Sequence, residues 1–102
     1  MVSLKKQYRK TGSRCKVTFD LPAELSLSCA KASIVGDFNG WSHYETPMKR
    51  KKDGLFTVSI ELEKGKSYQF RYLLDGTRWE NDWNADNYVA TPYGSHNSVV
   101  EV

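Results

Sequence analysis

Apolar and polar residues alternate without a fault from Cys15 to Leu21: Cys15, Val17, Phe19 and Leu21 fall on one face, Lys16, Thr18 and Asp20 on the other. A period of two marks a half-buried strand, and Pro22, with no amide hydrogen to donate, stops it. Ala23 to Ser28 reads as a connection with one helical turn. Lys31 to Val35 is a second strand, which runs into the turn Gly36-Asp37-Phe38-Asn39-Gly40-Trp41. Ser42 to Lys52 is polar and contains Pro47, so it is expected to cross the surface as a loop pinned by Met48. Alternation resumes from Leu55 to Leu62, with Phe56, Val58, Ile60 and Leu62 inward, and Lys64-Gly65 makes the next turn. In the strand that follows, Tyr68, Phe70 and Tyr72 share one face while Gln69, Arg71 and Leu73 take the other. Asp75-Gly76 is a hairpin signal that returns Trp79 to the strand carrying Arg71. Glu80 to Pro92 is rich in Asn and Asp and lacks a period, so a long loop anchored by Trp83, Tyr88 and Val89 is expected, and Asn97 to Val102 closes the chain as a strand. Short, evenly spaced strands with almost no helical pattern predict an all-β antiparallel sandwich of about seven strands.

A chain of 102 residues is one domain and leaves no room for a catalytic barrel of about 250 residues. The net charge of +3 is concentrated at Met1 to Arg14 and in Lys49-Arg50-Lys51-Lys52. Residues 1–14 read as a basic N-terminal arm and 15–102 as the sandwich domain. The second basic run is closed by Asp53-Gly54 and reads as a solvated hairpin loop. No aromatic residue is interleaved with it for base stacking, which argues against nucleic acid. The arm has no apolar run to serve as a leader or membrane span, so no membrane partner and a cytoplasmic location are expected. In such a compartment Cys15 and Cys29 are expected to stay unbridged. Two cysteines and the scattered His43 and His96 lack the close-set pairs of a zinc site, and no cofactor is implied.

Asp82-Trp83-Asn84-Ala85-Asp86 has the spacing that opens a calcium loop. The match then fails, because Asn87 stands where the glycine belongs and Tyr93 where the bidentate Glu belongs. Glu80 and Asp82 suggest a glycosidase acid and nucleophile, but both fall on a polar loop with no apolar pocket to raise a carboxyl pKa. Cys29 has no base partner in sequence. Catalysis is therefore not expected. What survives is Trp41, Arg71, Trp79 and Asn97. Two indoles supply flat apolar faces, and a guanidinium and an amide supply directed hydrogen bonds at their edges, a combination suited to a sugar ring. Two other readings stay open. Either indole can plug an end of the sandwich, or the same surface can dock a protein partner with sugar binding lost.

Val35-Gly36-Asp37-Phe38-Asn39-Gly40-Trp41, Tyr68-Gln69-Phe70-Arg71-Tyr72-Leu73-Leu74-Asp75-Gly76, Trp79-Glu80-Asn81-Asp82 and Pro92-Tyr93-Gly94-Ser95-His96-Asn97-Ser98-Val99-Val100 together resemble carbohydrate-binding module family 48. That family includes the glycogen-binding domain of the AMP-activated protein kinase beta subunit and the N-terminal early-set domains of isoamylases and glycogen branching enzymes. The resemblance runs from about Cys15 to the C-terminus. It implies an immunoglobulin-like, early-set β-sandwich that binds α-1,4-glucan of the glycogen or starch type. By the same resemblance, Trp41 and Trp79 would stack on glucose. Arg71, in the place of a lysine, would contact hydroxyls together with Asn97 and Ser95, the latter in the place of a threonine. Tyr93 takes the position of a leucine that pierces a cyclic glucan. The implied partners are an α-glucan oligosaccharide or polysaccharide and an enzyme of glucan metabolism.

Overall fold

A computed structural model describes residues 4–8 and 12–102. Among the described residues there are nine strands in two antiparallel sheets. The first sheet consists of β1 (Leu4–Tyr8), β2 (Arg14–Asp20), β5 (Phe56–Glu63) and β4 (Lys49–Arg50), in that order. The second runs β3 (Ala32–Gly36), β6 (Ser67–Leu74), β9 (His96–Glu101) and β8 (Asn87–Ala90), with β7 (Arg78–Glu80) paired to β6 beyond the end of β9. One short helix, α1 (Ala23–Ser26), follows Pro22.

The alternation sets the core. Cys15, Val17 and Phe19 of β2 and Phe70 and Tyr72 of β6 are all fully buried. Phe19 meets Phe70 edge-on with ring centroids 5.1 Å apart, and Phe70 meets Tyr72 at 5.7 Å. Such tilted contacts suit the quadrupoles of aromatic rings. Both cysteines are free and buried, and burial is the main cause that raises the Cys29 thiol above its ordinary pKa.

Four features depart from the pattern-based expectation. Within the basic arm, Leu4–Tyr8 forms a strand in which only Leu4 is buried, opposite Phe19; one apolar residue carries too little periodicity to reveal it. Arg9 and Lys10 of the arm lie outside the described residues. The loop expected from Ser42 to Lys52 changes sheets: Ile34 N donates to Thr46 O and Met48 N to Ala32 O, after which Lys49 and Arg50 pair with Thr57 and Phe56. That crossing covers one open side of the sandwich, and Met48 is buried as expected. Arg50 is not simply solvated. Its guanidinium lies 4.2 Å from the centre of the Phe56 ring and donates to the carbonyls of Ser26, Gly54 and Cys29.

The fourth departure is the expected long loop from Glu80 to Pro92, which contains β8 and a buried anchor. Asp82 is 0% exposed. Its Oδ2 accepts from the Tyr72 hydroxyl at 2.6 Å and its Oδ1 from the Asn84 amide at 2.8 Å, while its own amide donates to Ser98 Oγ at 2.8 Å. Asp86 Oδ2 accepts from Lys6 Nζ at 2.6 Å and from the Glu101 amide at 2.7 Å, which ties β1 to β9. The acidic residues of the calcium-like spacing thus serve as turn and tether, the usual use of Asp in such loops. Asp82 also does not lie on an open polar loop, because tertiary packing, invisible in the local composition, encloses it.

Candidate functional site

The turn after β3 begins with a close approach. Gly36 has an extended backbone, and a Cβ there would sit 2.5 Å from Gln69 O and 2.7 Å from Phe70 Cβ, so only glycine lets β3 lie this close to β6. A single 3-10 turn, Asp37–Asn39, follows. Phe38 packs back on Phe19 and Phe70 and holds the turn on the core. Asn39 Oδ1 accepts from the Gly36 amide, and its Nδ2 donates to Ile34 O and Thr46 Oγ1. Gly40 and Trp41 both take left-handed backbone conformations, with φ of 65° and 60°. The second is uncommon for a bulky side chain, and the Trp41 amide, donating to Gly36 O at 2.9 Å, closes the turn around it. The indole is then oriented by Asp37: Trp41 Nε1 donates to Oδ1 at 2.9 Å, while Oδ2 accepts from the Gln69 amide at 2.8 Å.

The outward face of β6 supplies the polar floor. Because Phe70 and Tyr72 point into the core, Arg71 faces away from it. Its Nε donates to Asn97 Oδ1 at 2.7 Å and its Nη2 to Ser95 Oγ at 2.6 Å. Asn97 Nδ2 donates to Gln69 Oε1 at 3.1 Å, and Ser95 Oγ is 2.9 Å from Thr91 Oγ1. The relay Thr91, Ser95, Arg71, Asn97, Gln69 fixes each side chain through the next. Among the described residues it uses two of the five N–H donors of Arg71, leaving the others for a ligand or water.

Two hairpins complete the site. Asp75 and Gly76 take positive φ, and β7 returns with Trp79 opposite Leu73, on the same outward face as Arg71. The β8–β9 hairpin carries the turn Thr91-Pro92-Tyr93-Gly94, closed by Gly94 N donating to Thr91 O, with proline and glycine where a tight turn favours them. Tyr93 stands at its tip, 92% exposed.

All six residues singled out from the sequence, Trp41, Arg71, Trp79, Tyr93, Ser95 and Asn97, line one groove of about 630 Å³. Neither indole plugs the sandwich: Trp79 is 39% exposed and Trp41 half-buried. Gln69, Thr91 and Pro92 also line the groove and were not singled out. Gln69 had a signal, since it shares the face of Arg71 by parity, whereas Thr91 and Pro92 required knowledge of the β8–β9 hairpin. Asp37, which holds the Trp41 indole, has only a weak signal in the sequence, an Asp four residues before a Trp in a tight turn.

A family model described as carbohydrate-binding module 48 (isoamylase N-terminal domain) matches residues 13–94. Ser95 and Asn97 lie just past that stretch. The protein called PTST homolog 2, chloroplastic, from Arabidopsis thaliana is 34% identical over 55 residues, which cover 54% of this chain and 10% of that protein. The 1,4-alpha-glucan branching enzyme GlgB from Photobacterium profundum is 34% identical over 76 residues, 72% of this chain and 10% of the enzyme. The chain thus spans about a tenth of the length of these relatives. Among the described residues no helix is long and apolar enough to cross a membrane. With a two-sheet antiparallel sandwich and a family match over most of its length, the chain belongs to the carbohydrate-binding module 48 (isoamylase N-terminal domain) family.

Proposed function

We propose that this domain binds α-1,4-glucan of the glycogen or starch type without transforming it. Trp41 and Trp79 stack on the apolar faces of glucose units, and Arg71, Ser95 and Asn97 contact hydroxyls. Tyr93 closes over the chain from the rim. The observation that carries this reading is the convergence, in one groove, of two indoles from separate turns with a cationic fork held by hydrogen bonds. An indole face and a few fixed polar groups are what oriented recognition of a small ligand needs. The relative named as a 1,4-alpha-glucan branching enzyme supports the same substrate class. By analogy with it, an enzyme of glucan metabolism is the expected neighbour in the cell.

An open groove with few contacts binds weakly, because the loss of rigid-body freedom offsets much of the contact energy. Titration with maltoheptaose or β-cyclodextrin should shift tryptophan fluorescence with a Kd of about 0.1–1 mM, equivalent to roughly 4–5.5 kcal/mol. Trp79→Ala should weaken binding about 3–10-fold, from the loss of one stacking face. Unchanged fluorescence and unchanged indole NMR signals at millimolar sugar would remove the proposal. A protein partner that is retained in excess oligosaccharide would favour the docking reading instead.

A further inference from the structure

Next to Trp79, and outside the groove, lie two aromatic side chains that the sandwich does not use for packing. His43 is exposed and its ring centre is 5.2 Å from that of Trp79, with the planes at 77°. Tyr44 follows, its ring centre 6.2 Å from His43 at a tilt of 49°, and it is 90% exposed. The segment is held: Ser42 Oγ accepts from the amides of Tyr44 and Glu45, both at 3.2 Å. This side-chain-to-backbone turn orders the loop that presents the rings. A large ring at this degree of exposure adds nothing to folding, unlike Phe38 a few residues earlier, which packs on the core.

We infer that His43 and Tyr44 form a further sugar subsite beside Trp79, which carries a glucan beyond the groove and makes the domain prefer longer chains. This rests on the glucan-binding reading and extends it. With the planes near a right angle, the imidazole would stand as a wall beside a sugar lying on the open face of the indole. A glucose unit lying on Trp79 turns its rim hydroxyls toward His43, whose two ring nitrogens are hydrogen-bonding positions. Tyr44 then supplies the next apolar face, with a phenol at its edge. A ring with two rotatable bonds loses little freedom on contact, so the protein's share of the ordering cost is small. A repeating ligand gains from such an extension only when it is long enough to reach it. That makes chain length the quantity to measure.

The test compares calorimetric titrations of maltotriose and maltoheptaose into the parent chain and into Tyr44→Ala, a surface substitution that leaves the core intact. The parent should bind maltoheptaose more tightly. Tyr44→Ala should lose about 3–10-fold toward maltoheptaose, the size of one stacking contact, and stay within about 2-fold toward maltotriose. As an independent readout, maltoheptaose should shift the ring-proton resonances of His43 and Tyr44 in the parent chain. Equal affinity of parent and variant for maltoheptaose, or an equal loss for both sugars, overturns the subsite while leaving glucan binding in place. A parent chain that binds neither sugar overturns the glucan reading and the subsite together.

Discussion

Replacing Tyr72 with phenylalanine removes one oxygen from the middle of the domain and changes little else. The Tyr72 ring is fully buried against Phe70, so phenylalanine fills the same space and opens no cavity. What is lost is the hydroxyl's 2.6 Å hydrogen bond to Asp82 Oδ2. Asp82 is itself 0% exposed, and its carboxylate then keeps the Asn84 amide on Oδ1. A hydrogen bond to a charged group contributes about 1.5–3 kcal/mol, and leaving the buried acceptor short of a donor places the loss toward the upper part of that range. At about 4–8 °C per kcal/mol for a domain of this size, Tm should fall by roughly 10–20 °C. In urea the midpoint should move by about 1–2 M at unchanged slope. Tyr8→Phe, at a position more than half exposed, is the control and should shift neither quantity. The pH profile gives a second check. Burial first, then the charge of Asp82 and the bond to it, push the Tyr72 phenol well above its ordinary value of 10.0. A raised folded-state pKa means that this group's share of stability is complete below the unfolded value near 10 and is lost as pH rises beyond it. In Tyr72→Phe that part of the alkaline loss should disappear. A change in stability below about 0.5 kcal/mol, with an unaltered alkaline limb, would refute the view that Asp82 anchors the segment after β7 through this hydroxyl.

Two further outcomes follow from the same structure. Gly36→Ala forces a methyl group to within 2.5 Å of Gln69 O and 2.7 Å of Phe70 Cβ; because backbone must yield, thermal unfolding should register a loss of about 1–3 kcal/mol or more, whereas Gly40→Asn, at a left-handed position with open space around it, should cost less. At acid pH, Asp75 contributes: the Lys31 amide, then the Ala30 amide, hold its carboxyl below its ordinary value of 3.8. Its stabilisation is present above that value and lost as pH falls through the lower folded-state pKa, so Asp75→Asn should flatten the fall in urea midpoint measured from about pH 5 to about pH 2.

The chain by itself determined the strands with clear alternation and the faces their residues take. A period of two leaves no freedom within a strand: once Phe70 and Tyr72 are inward, Arg71 and Gln69 are outward. The glycine-flanked turn ending in Trp41 was legible for the same local reason. The face of Trp79 was left to the tertiary structure, because a loop of Asp75 and Gly76 alone would set it opposite the inward Tyr72, whereas the observed pairing of Leu74 with Arg78 keeps Thr77 in the loop and sets Trp79 opposite Leu73. The tertiary structure alone decided what depends on partners distant in sequence. Asp82 is buried because Tyr72 and Ser98 surround it, and Leu4–Tyr8 is a strand because β2 offers an edge to pair with. Arg71 becomes a fixed fork only when Ser95 and Asn97, 24 and 26 residues away, supply its acceptors. Local spacing has no information about such pairings, since they form at the level of sheet packing, where each contact requires a long loop to close.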